Sequence, residues 1–350
     1  MARAILQAHR AEDLIPASGK MVVFDHDLPV KYAFYGMLEH NIKCAPVWDA
    51  TRSDWVGMLT VTDFIDILRH YYHQDQWASV GHVLGEQCIR QWAAIKAATH
   101  TSIPHLLSID PEGTLWEALK TIQRHHIHRL PVLQKIPENT ILSMLTHQRI
   151  LNFVLVKFKL AHELMLLQRL TVADIGIGSF AKLHTVKYDT KLVAALDVLS
   201  LNKISAAPVV DDDGVLLDVY SRGDVLFLVM DKTYLNLDIT VRQALGAHNK
   251  TRPVPICCRE DTLYTVFKRL VQTRKQRAVV VEPATRKAIG TISLSDIFNF
   301  LLDESGTETA AVAAATSTAS ESAASAAVGS VERQFAANLA VSGSPSEAGP

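Results

Sequence analysis

Residues 43–63, KCAPVWDATRSDWVGMLTVTD, run from a short apolar strand through a turn and a second strand into a Thr-x-x-Asp motif. The same order recurs three times, with strand anchors at His128-Arg129-Leu130-Pro131, Ser205-Ala206-Ala207-Pro208 and Gln276-Arg277-Ala278-Val279. Three of the closing motifs end in an aspartate, and the second ends in an arginine, at Asp63, Asp224, Asp296 and Arg149. Domains of about 60 residues are marginal alone. We therefore expect one α+β assembly in which the four copies pair sheet to sheet.

An amphipathic helix is predicted before each strand anchor. In the first copy Val30, Ala33 and Met37 follow the helical period and share one face. In the second copy Thr114 and Glu117 have the spacing of a capping box, which marks the start of a helix. A further helix is predicted to leave each closing motif, so that every copy reads helix, strand, strand, helix.

The chain divides at these copies and at two changes of composition. The predicted parts are an N-terminal extension, four repeats and a tail, at residues 1–20, 21–84, 100–160, 177–232, 248–303 and 305–350. We expect residues 1–10 to fray, with a weak transit peptide as the alternative. The tail is rich in alanine, serine, threonine and glycine, and it cannot offset the entropy of ordering. We expect it to be disordered, with a short helix over 310–315 as the alternative.

Composition argues against several classes of function. The formal net charge of -1 gives no overall field for nucleic acid or membrane surfaces, and no apolar stretch reaches the roughly 20 residues that span a bilayer. The four cysteines lack the CxxC spacing of a zinc site and favour a reduced compartment, so we expect the cytoplasm, with the nucleus as a second location. The histidines at 125, 126 and 128 lack the spacing of a helical metal pair. No nucleophile elbow or P-loop occurs, so we expect no enzyme activity, metal site or catalytic cofactor.

Two kinds of side chain recur at fixed places in the copies. The aspartate of a closing motif lies where a strand ends and a helix begins, so it is either a helix cap or an acceptor for both hydroxyls of a ribose. Basic residues recur at or beside the anchors and in the closing motifs, at Lys43, His128, Arg129, Arg149, Lys203, Arg222 and Arg277. In a pseudo-symmetric assembly these cations converge on one centre that binds phosphate; otherwise they are solvated surface charges.

The motifs resemble those of one known family. The phrases GMLTVTDF (57–64), IHRLPV (127–132) and SLSDI (293–297), together with the arginine at 149, are similar to the gamma regulatory subunits of AMP-activated protein kinase. Those subunits are built from four cystathionine-beta-synthase (CBS) repeats, and the resemblance covers residues 22–302. It implies two CBS pairs in a pseudo-symmetric disc. It also implies a non-catalytic subunit that binds AMP, ADP and ATP in a heterotrimer with a catalytic alpha kinase subunit and a beta scaffold subunit.

The resemblance implies roles for individual residues. Asp63, Asp224 and Asp296 would hold riboses in three clefts, and the second-repeat cleft would stay empty because Arg149 offers no acceptor. Phosphate contacts are implied for His128, Arg129 and Arg277. Contacts with the nucleotide of the fourth-repeat cleft are implied for Ser205 and Ser293, and Ser179 stands at the position of a family threonine. The other nucleotide-binding positions that it indicates are Lys43, Met58, Thr60, Thr62, Leu107, Gln148, His184, Ile204, Ser221, Arg222, His248, Gln276 and Ser295.

The sequence departs from the family at several of these positions. Lysine stands in place of arginine at Lys43 and Lys203, and glutamine stands in place of lysine at 148 and of histidine at 276. Histidine stands in place of arginine at 248 and of a small residue at 184. Losing one charge-assisted hydrogen bond costs roughly 1.5–3 kcal/mol, about tenfold to a hundredfold in affinity. The alternative to a nucleotide sensor is therefore a scaffold subunit of the same complex with weakened or lost sensing.

Overall fold

The computed structural model describes residues 2–18, 20–74, 84–99, 106–157, 168–230, 236–246, 254–273 and 275–302. The N-terminal segment, the first repeat and the segment after it contain α1 (Ala2–Ala8), a 3-10 turn (Ala11–Leu14), β1 (Phe24–Asp25), α2 (Val30–Glu39), β2 (Cys44–Asp49), β3 (Asp54–Thr60), α3 (Val61–His73) and α4 (Ile89–Thr99). The second repeat contains α5 (Leu115–Arg124), β4 (Arg129–Gln134), β5 (Thr140–Thr146) and α6 (His147–Lys157).

The second half of the chain follows the same plan. Up to the fourth repeat it contains α7 (Val172–Ile175), α8 (Leu192–Leu201), β6 (Ala206–Val210), β7 (Leu216–Ser221), a 3-10 helix (Arg222–Leu226), α9 (Phe227–Met230) and α10 (Val241–Gly246). The fourth repeat contains β8 (Ile256–Cys257), α11 (Leu263–Gln272), β9 (Arg277–Val281), β10 (Ala288–Ser293) and α12 (Leu294–Leu302). The predicted order of helix, strand, strand and helix is therefore present in each copy.

The four hairpins are antiparallel and share one register. The first residue of each anchor strand lies opposite the first residue of the closing motif, in the pairs Cys44–Thr60, Arg129–Thr146, Ala206–Ser221 and Arg277–Ser293. Directly opposite residues in a sheet have side chains roughly 5 Å apart. The polar groups of anchor and motif therefore meet at the same end of every hairpin.

Two large apolar cores join the repeats across the chain. One core combines the first and third repeats, with Phe34 and Phe64 beside Leu196 and Tyr220. The other combines the second and fourth repeats, with residues such as Leu119, Ile150, Phe267 and Phe298. In both cores the helices supply most of the contacts between repeats. The prediction that the repeats pair sheet to sheet is therefore wrong for these two widest interfaces.

Narrower contacts between hairpins connect the remaining neighbours. Trp55 Nε1 of the first repeat donates to the carbonyl of Asn139 in the second at 2.8 Å. The amide of Leu216 in the third repeat donates to the carbonyl of Arg286 in the fourth at 3.1 Å. The repeats therefore close a ring in the order first, second, fourth and third. This arrangement confirms the predicted α+β assembly of four repeats in two pairs.

The N-terminal segment is packed, so the prediction that residues 1–10 fray is wrong for its described part. Leu6 is fully buried in the core of the second and fourth repeats. The amide of Leu115 donates to the carbonyl of His9 at 2.8 Å, and the amide of Ala11 donates to that of Gly113 at 2.8 Å. An alanine-rich segment with few large apolar residues gives little sign of such packing.

Two other predictions concern the ends and the membrane. The tail from residue 305, including the short helix considered over 310–315, lies outside the described residues. Among the described helices, none combines the length and the apolar character needed to cross a bilayer.

Candidate functional site

A cavity of about 650 Å³ lies where the four repeats meet. The first repeat contributes Thr60 and Thr62, and the other repeats contribute the residues next to their strand anchors. Of the residues indicated by the sequence, it is lined by Lys43, Met58, Thr60, Thr62, His128, Arg129, Ser205, Ser221, Arg222, Gln276 and Arg277. The shared hairpin register explains this convergence, because every hairpin presents its anchor and its motif hydroxyl at the same end.

The wall of the cavity is strongly basic although the whole chain is nearly neutral. It includes four lysines and three arginines, at 43, 96, 203, 275, 129, 222 and 277, against the two aspartates Asp66 and Asp218. Burial lowers the pKa of His128 below its usual value, and nearby positive charges lower it further, from Arg129, Arg222, Arg277 and Lys43. The basic side chains of the first, second, third and fourth repeats therefore surround one point.

The aspartates of the closing motifs all use one carboxylate oxygen to fix the start of a helix. Oδ2 of Asp63 accepts hydrogen bonds from the amide and the hydroxyl of Thr60, both at 2.7 Å. Asp224 accepts the same two bonds from Ser221, and Asp296 accepts them from Ser293, all at 2.7 Å. The cap residue is thus the Ser or Thr, and the aspartate completes a capping box three residues later. This geometry leaves Oδ1 as the carboxylate atom for any further partner.

The further partner of Asp63 is a residue that the sequence did not indicate. Lys96, on α4 in the segment between the first two repeats, places Nζ 2.5 Å from Asp63 Oδ1 and also lines the cavity. Burial lowers the pKa of Lys96, but the charge and hydrogen bond of Asp63 outweigh burial and the net shift is upward. Lys96 is therefore protonated at neutral pH. Lys96 lies outside the repeated motifs, so nothing in the sequence distinguishes it from an ordinary lysine on a helix surface.

Arg149 uses its side chain within the second repeat. Its Nη1 donates to Ser143 Oγ at 2.9 Å and to the carbonyl of Met144 at 2.8 Å, both on β5. Its backbone amide still donates to Thr146 Oγ1 at 3.2 Å, as the amides of Asp63 and Asp296 donate to the hydroxyls of their own motifs. The second motif therefore keeps half of the capping box but presents no carboxylate.

Arg222 lines the cavity but directs its nitrogens at the protein. Nε donates to the carbonyl of Ile204 at 2.8 Å, Nη1 to Thr62 Oγ1 at 2.8 Å and Nη2 to the carbonyl of Leu199 at 3.0 Å. Arg277 differs, because its buried Nε has no hydrogen-bond partner among the described residues. Of these two arginines, Arg277 has donor capacity to offer to a ligand.

Several indicated residues do not line the central cavity. Asp63 and Asp224 are buried just behind it, each 3% exposed. The others outside the lining are Leu107, Gln148, Ser179, His184, Ile204, Ser293, Ser295 and Asp296. Ser179 pairs through its backbone with Thr291 on β10, at 2.8 and 3.1 Å, and so borders the fourth repeat. His248 lies outside the described residues. The lining also includes Lys275 and Asp218, which sequence reasoning missed; Lys275 directly precedes an anchor and was open to detection.

Comparison with known proteins places this geometry in a family. The CBS domain model matches residues 100–156, 172–231 and 250–303. The chain is 39% identical over 309 residues to the 5'-AMP-activated protein kinase subunit gamma of Dictyostelium discoideum, covering 85% of this chain and 52% of that one. It is 34% identical over 298 residues to the subunit gamma-3 of Homo sapiens, covering 85% of this chain and 60% of that one. The chain thus spans between half and three-fifths of these relatives.

A solved structure supports the same fold. A protein of Methanocaldococcus jannaschii, whose description proposes it as an archaeal homologue of g-AMPK, superposes with a TM-score of 0.65 and 15% identity. The match covers 83% of this chain and 99% of the archaeal one. At this level of identity the likeness shows the fold alone.

Proposed function

The chain is a CBS-domain protein related to the gamma subunits of 5'-AMP-activated protein kinase, and on that premise we propose that it is a non-catalytic, nucleotide-binding regulatory subunit of such a kinase. Its ligands are AMP, ADP and ATP. Its partners are a catalytic alpha kinase subunit and a beta scaffold subunit, in the cytoplasm with the nucleus as a second location.

The basic cavity shared by all four repeats is the observation that carries the proposal. A neutral chain gathers seven lysine and arginine side chains around it, which suits an anion with several phosphate oxygens. Adenine nucleotides differ in phosphate charge, and a ligand shifts an equilibrium only by its difference in affinity for two states. Because every repeat contributes to this central phosphate site, ligands that differ in phosphate charge can favour different arrangements of the repeats and their partner subunits.

The closing motifs support three sugar-binding clefts and one empty cleft. The capping boxes hold the carboxylates of Asp63, Asp224 and Asp296 in one orientation, and Oδ1 is the acceptor for ribose hydroxyls. Arg149 offers only donors, and its Nη1 already binds Ser143 and the carbonyl of Met144. Hydroxyl donors of a ribose find no acceptor in that motif.

Calorimetric titration of the purified full chain with AMP and with ATP tests the proposal. We expect saturable binding of both below millimolar concentration, and fewer sites in Asp296→Asn. The matched control is Asp174→Asn, because Asp174 closes the same capping box with Thr171 at 2.9 and 2.7 Å but is exposed and lies away from the cavity. Absence of saturable binding, or an equal loss in both variants, contradicts the nucleotide assignment.

A scaffold subunit with weakened sensing is the second candidate. It is favoured by Gln276 on the cavity wall, by Gln148 outside it, and by Arg222, whose donors are already used within the protein. The scaffold function predicts a complex with alpha and beta kinase subunits whose formation and kinase activity do not change with AMP or ATP. A nucleotide-dependent change in the activity of the reconstituted complex excludes it.

A further inference from the structure

Lys96 lines the cavity and forms an ion pair with Asp63, the aspartate of the first closing motif. Asp63 is 3% exposed, and its Oδ2 is already held by Thr60, so Lys96 takes the remaining oxygen. The Lys96 side chain is 36% exposed and borders the cavity, so it has room to move. Asp296 has the same capping box, but its Oδ1 has no hydrogen-bond partner among the described residues. The first and fourth repeats are therefore unlike at the atom that would receive a sugar hydroxyl.

We propose that Lys96 controls which ligands bind in the first-repeat cleft. Its ammonium binds Oδ1 of Asp63, the oxygen that would accept a sugar hydroxyl, and it moves to the phosphate when a nucleotide binds. The cleft then selects phosphorylated nucleosides over unphosphorylated ones. The inference rests on the proposed nucleotide-binding function, and it adds a residue that decides specificity at one cleft.

The selection follows from the charges that each ligand brings. A nucleoside offers neutral hydroxyls to Asp63 and brings no anion to replace it, so the displaced ammonium of Lys96 keeps only the more distant charge of Asp66 on the cavity wall. A nucleotide offers the same hydroxyls and also supplies phosphate oxygens, which an ammonium binds well. The four-carbon stem of lysine is flexible, and His128, Arg129 and Arg277 border the same cavity. The ligand therefore supplies an anion in place of Asp63 only when it carries a phosphate.

Titrations with AMP and with adenosine test this on the full chain and on Lys96→Met. We expect adenosine to bind one site of Lys96→Met about tenfold more tightly than it binds the same site of the wild type, because Asp63 no longer pairs with a lysine. The affinity of that site for AMP should not increase. The preference for AMP at that site then falls by about tenfold or more. Lys96→Arg, which keeps the charge, should retain most of the preference.

Two further variants assign the effect to this ion pair. Lys187→Met is the matched control, because Lys187 also lies 2.5 Å from an aspartate, Asp212, but this pair is exposed and does not line the cavity. The substitution should not change the affinity for either ligand. In an Asp63→Asn background the effect of the Lys96 substitution should disappear. An unchanged AMP-to-adenosine ratio in Lys96→Met, or an effect that persists in the Asp63→Asn background, overturns the inference alone. If the wild type binds neither ligand, the proposed function fails and this inference fails with it.

Discussion

Arg222 of the third repeat donates a hydrogen bond from Nη1 to Thr62 Oγ1 of the first repeat at 2.8 Å. Both residues belong to closing motifs, and the bond crosses the interface on which the first of the two large cores is built. The same guanidinium holds the carbonyls of Ile204 and Leu199. A residue that lines the candidate ligand cavity therefore also joins two repeats.

Removing Arg222 should destabilise the fold. In Arg222→Met the carbonyls of Ile204 and Leu199 and the hydroxyl of Thr62 lose their donor, and unsatisfied buried groups cost about 1–3 kcal/mol each, so we expect a loss of about 2–5 kcal/mol. Urea denaturation measures it. Arg52→Met is the control, because Arg52 is 73% exposed and should change stability by less than about 0.5 kcal/mol. Equal stability of the two variants would show that Arg222 does not join the repeats.

The N-terminal helix should contribute to the stability of the second and fourth repeats. Leu6→Ala leaves a cavity in their shared core, and we expect it to cost about 2–5 kcal/mol. Leu201→Ala is the matched control, since Leu201 is also helical but 72% exposed, and it should be nearly neutral. Thermal unfolding of both variants gives the comparison. A neutral Leu6→Ala contradicts the packing of α1.

Ligand binding should be linked to proton uptake at His128. Burial and the surrounding cations hold its pKa below the usual value, so it is neutral in the empty cavity at pH 7. A bound phosphate stabilises the charged imidazolium and raises that pKa. Affinity should therefore increase as pH falls from 7 towards the lowered pKa of the free site. Calorimetry in buffers of different ionisation enthalpy counts the protons taken up.

The control for this linkage is His128→Gln, which leaves only the titration of the nucleotide phosphate itself, with a pKa near 6. We expect the number of protons taken up per bound AMP to fall in this variant. If proton uptake is the same with and without the histidine, the imidazole does not contact the bound phosphate.

His147 should make the protein sensitive to acid. Burial, together with the smaller effect of the charge of His128, lowers the pKa of His147 to about 4. Between pH 6.5 and 4 the unfolded chain binds a proton that the folded chain does not, so stability falls as pH falls. Over this pH range His147 should lower the free energy of unfolding by about 3 kcal/mol. Urea denaturation from pH 4 to 7 should give a shallower pH dependence for His147→Gln. An unchanged slope would exclude His147 as the cause.

The sequence reveals the local parts of this structure better than the relations between them. The hairpins and the positions of Lys43, Arg129 and Arg277 follow from the repetition, because four copies with one register bring equivalent residues to one centre. The role of Lys96 cannot be predicted from the repetition, since its contact with Asp63 depends on the path of α4 between two repeats. The contacts of Arg222 likewise depend on which repeats are neighbours in the ring, and no local periodicity carries that information.

The capping boxes have a consequence for how such repeats diverge. A single aspartate begins a helix with one oxygen and leaves the other as the candidate sugar acceptor, so exchanging it alters a folding signal together with a recognition signal. The second repeat illustrates the outcome: Thr146 still caps the amide of Arg149 at 3.2 Å, and the arginine anchors itself to its own strand. The hydroxyl of the motif therefore keeps the helix start when the aspartate is exchanged, so that one cleft can lose its sugar acceptor while the ring of repeats persists.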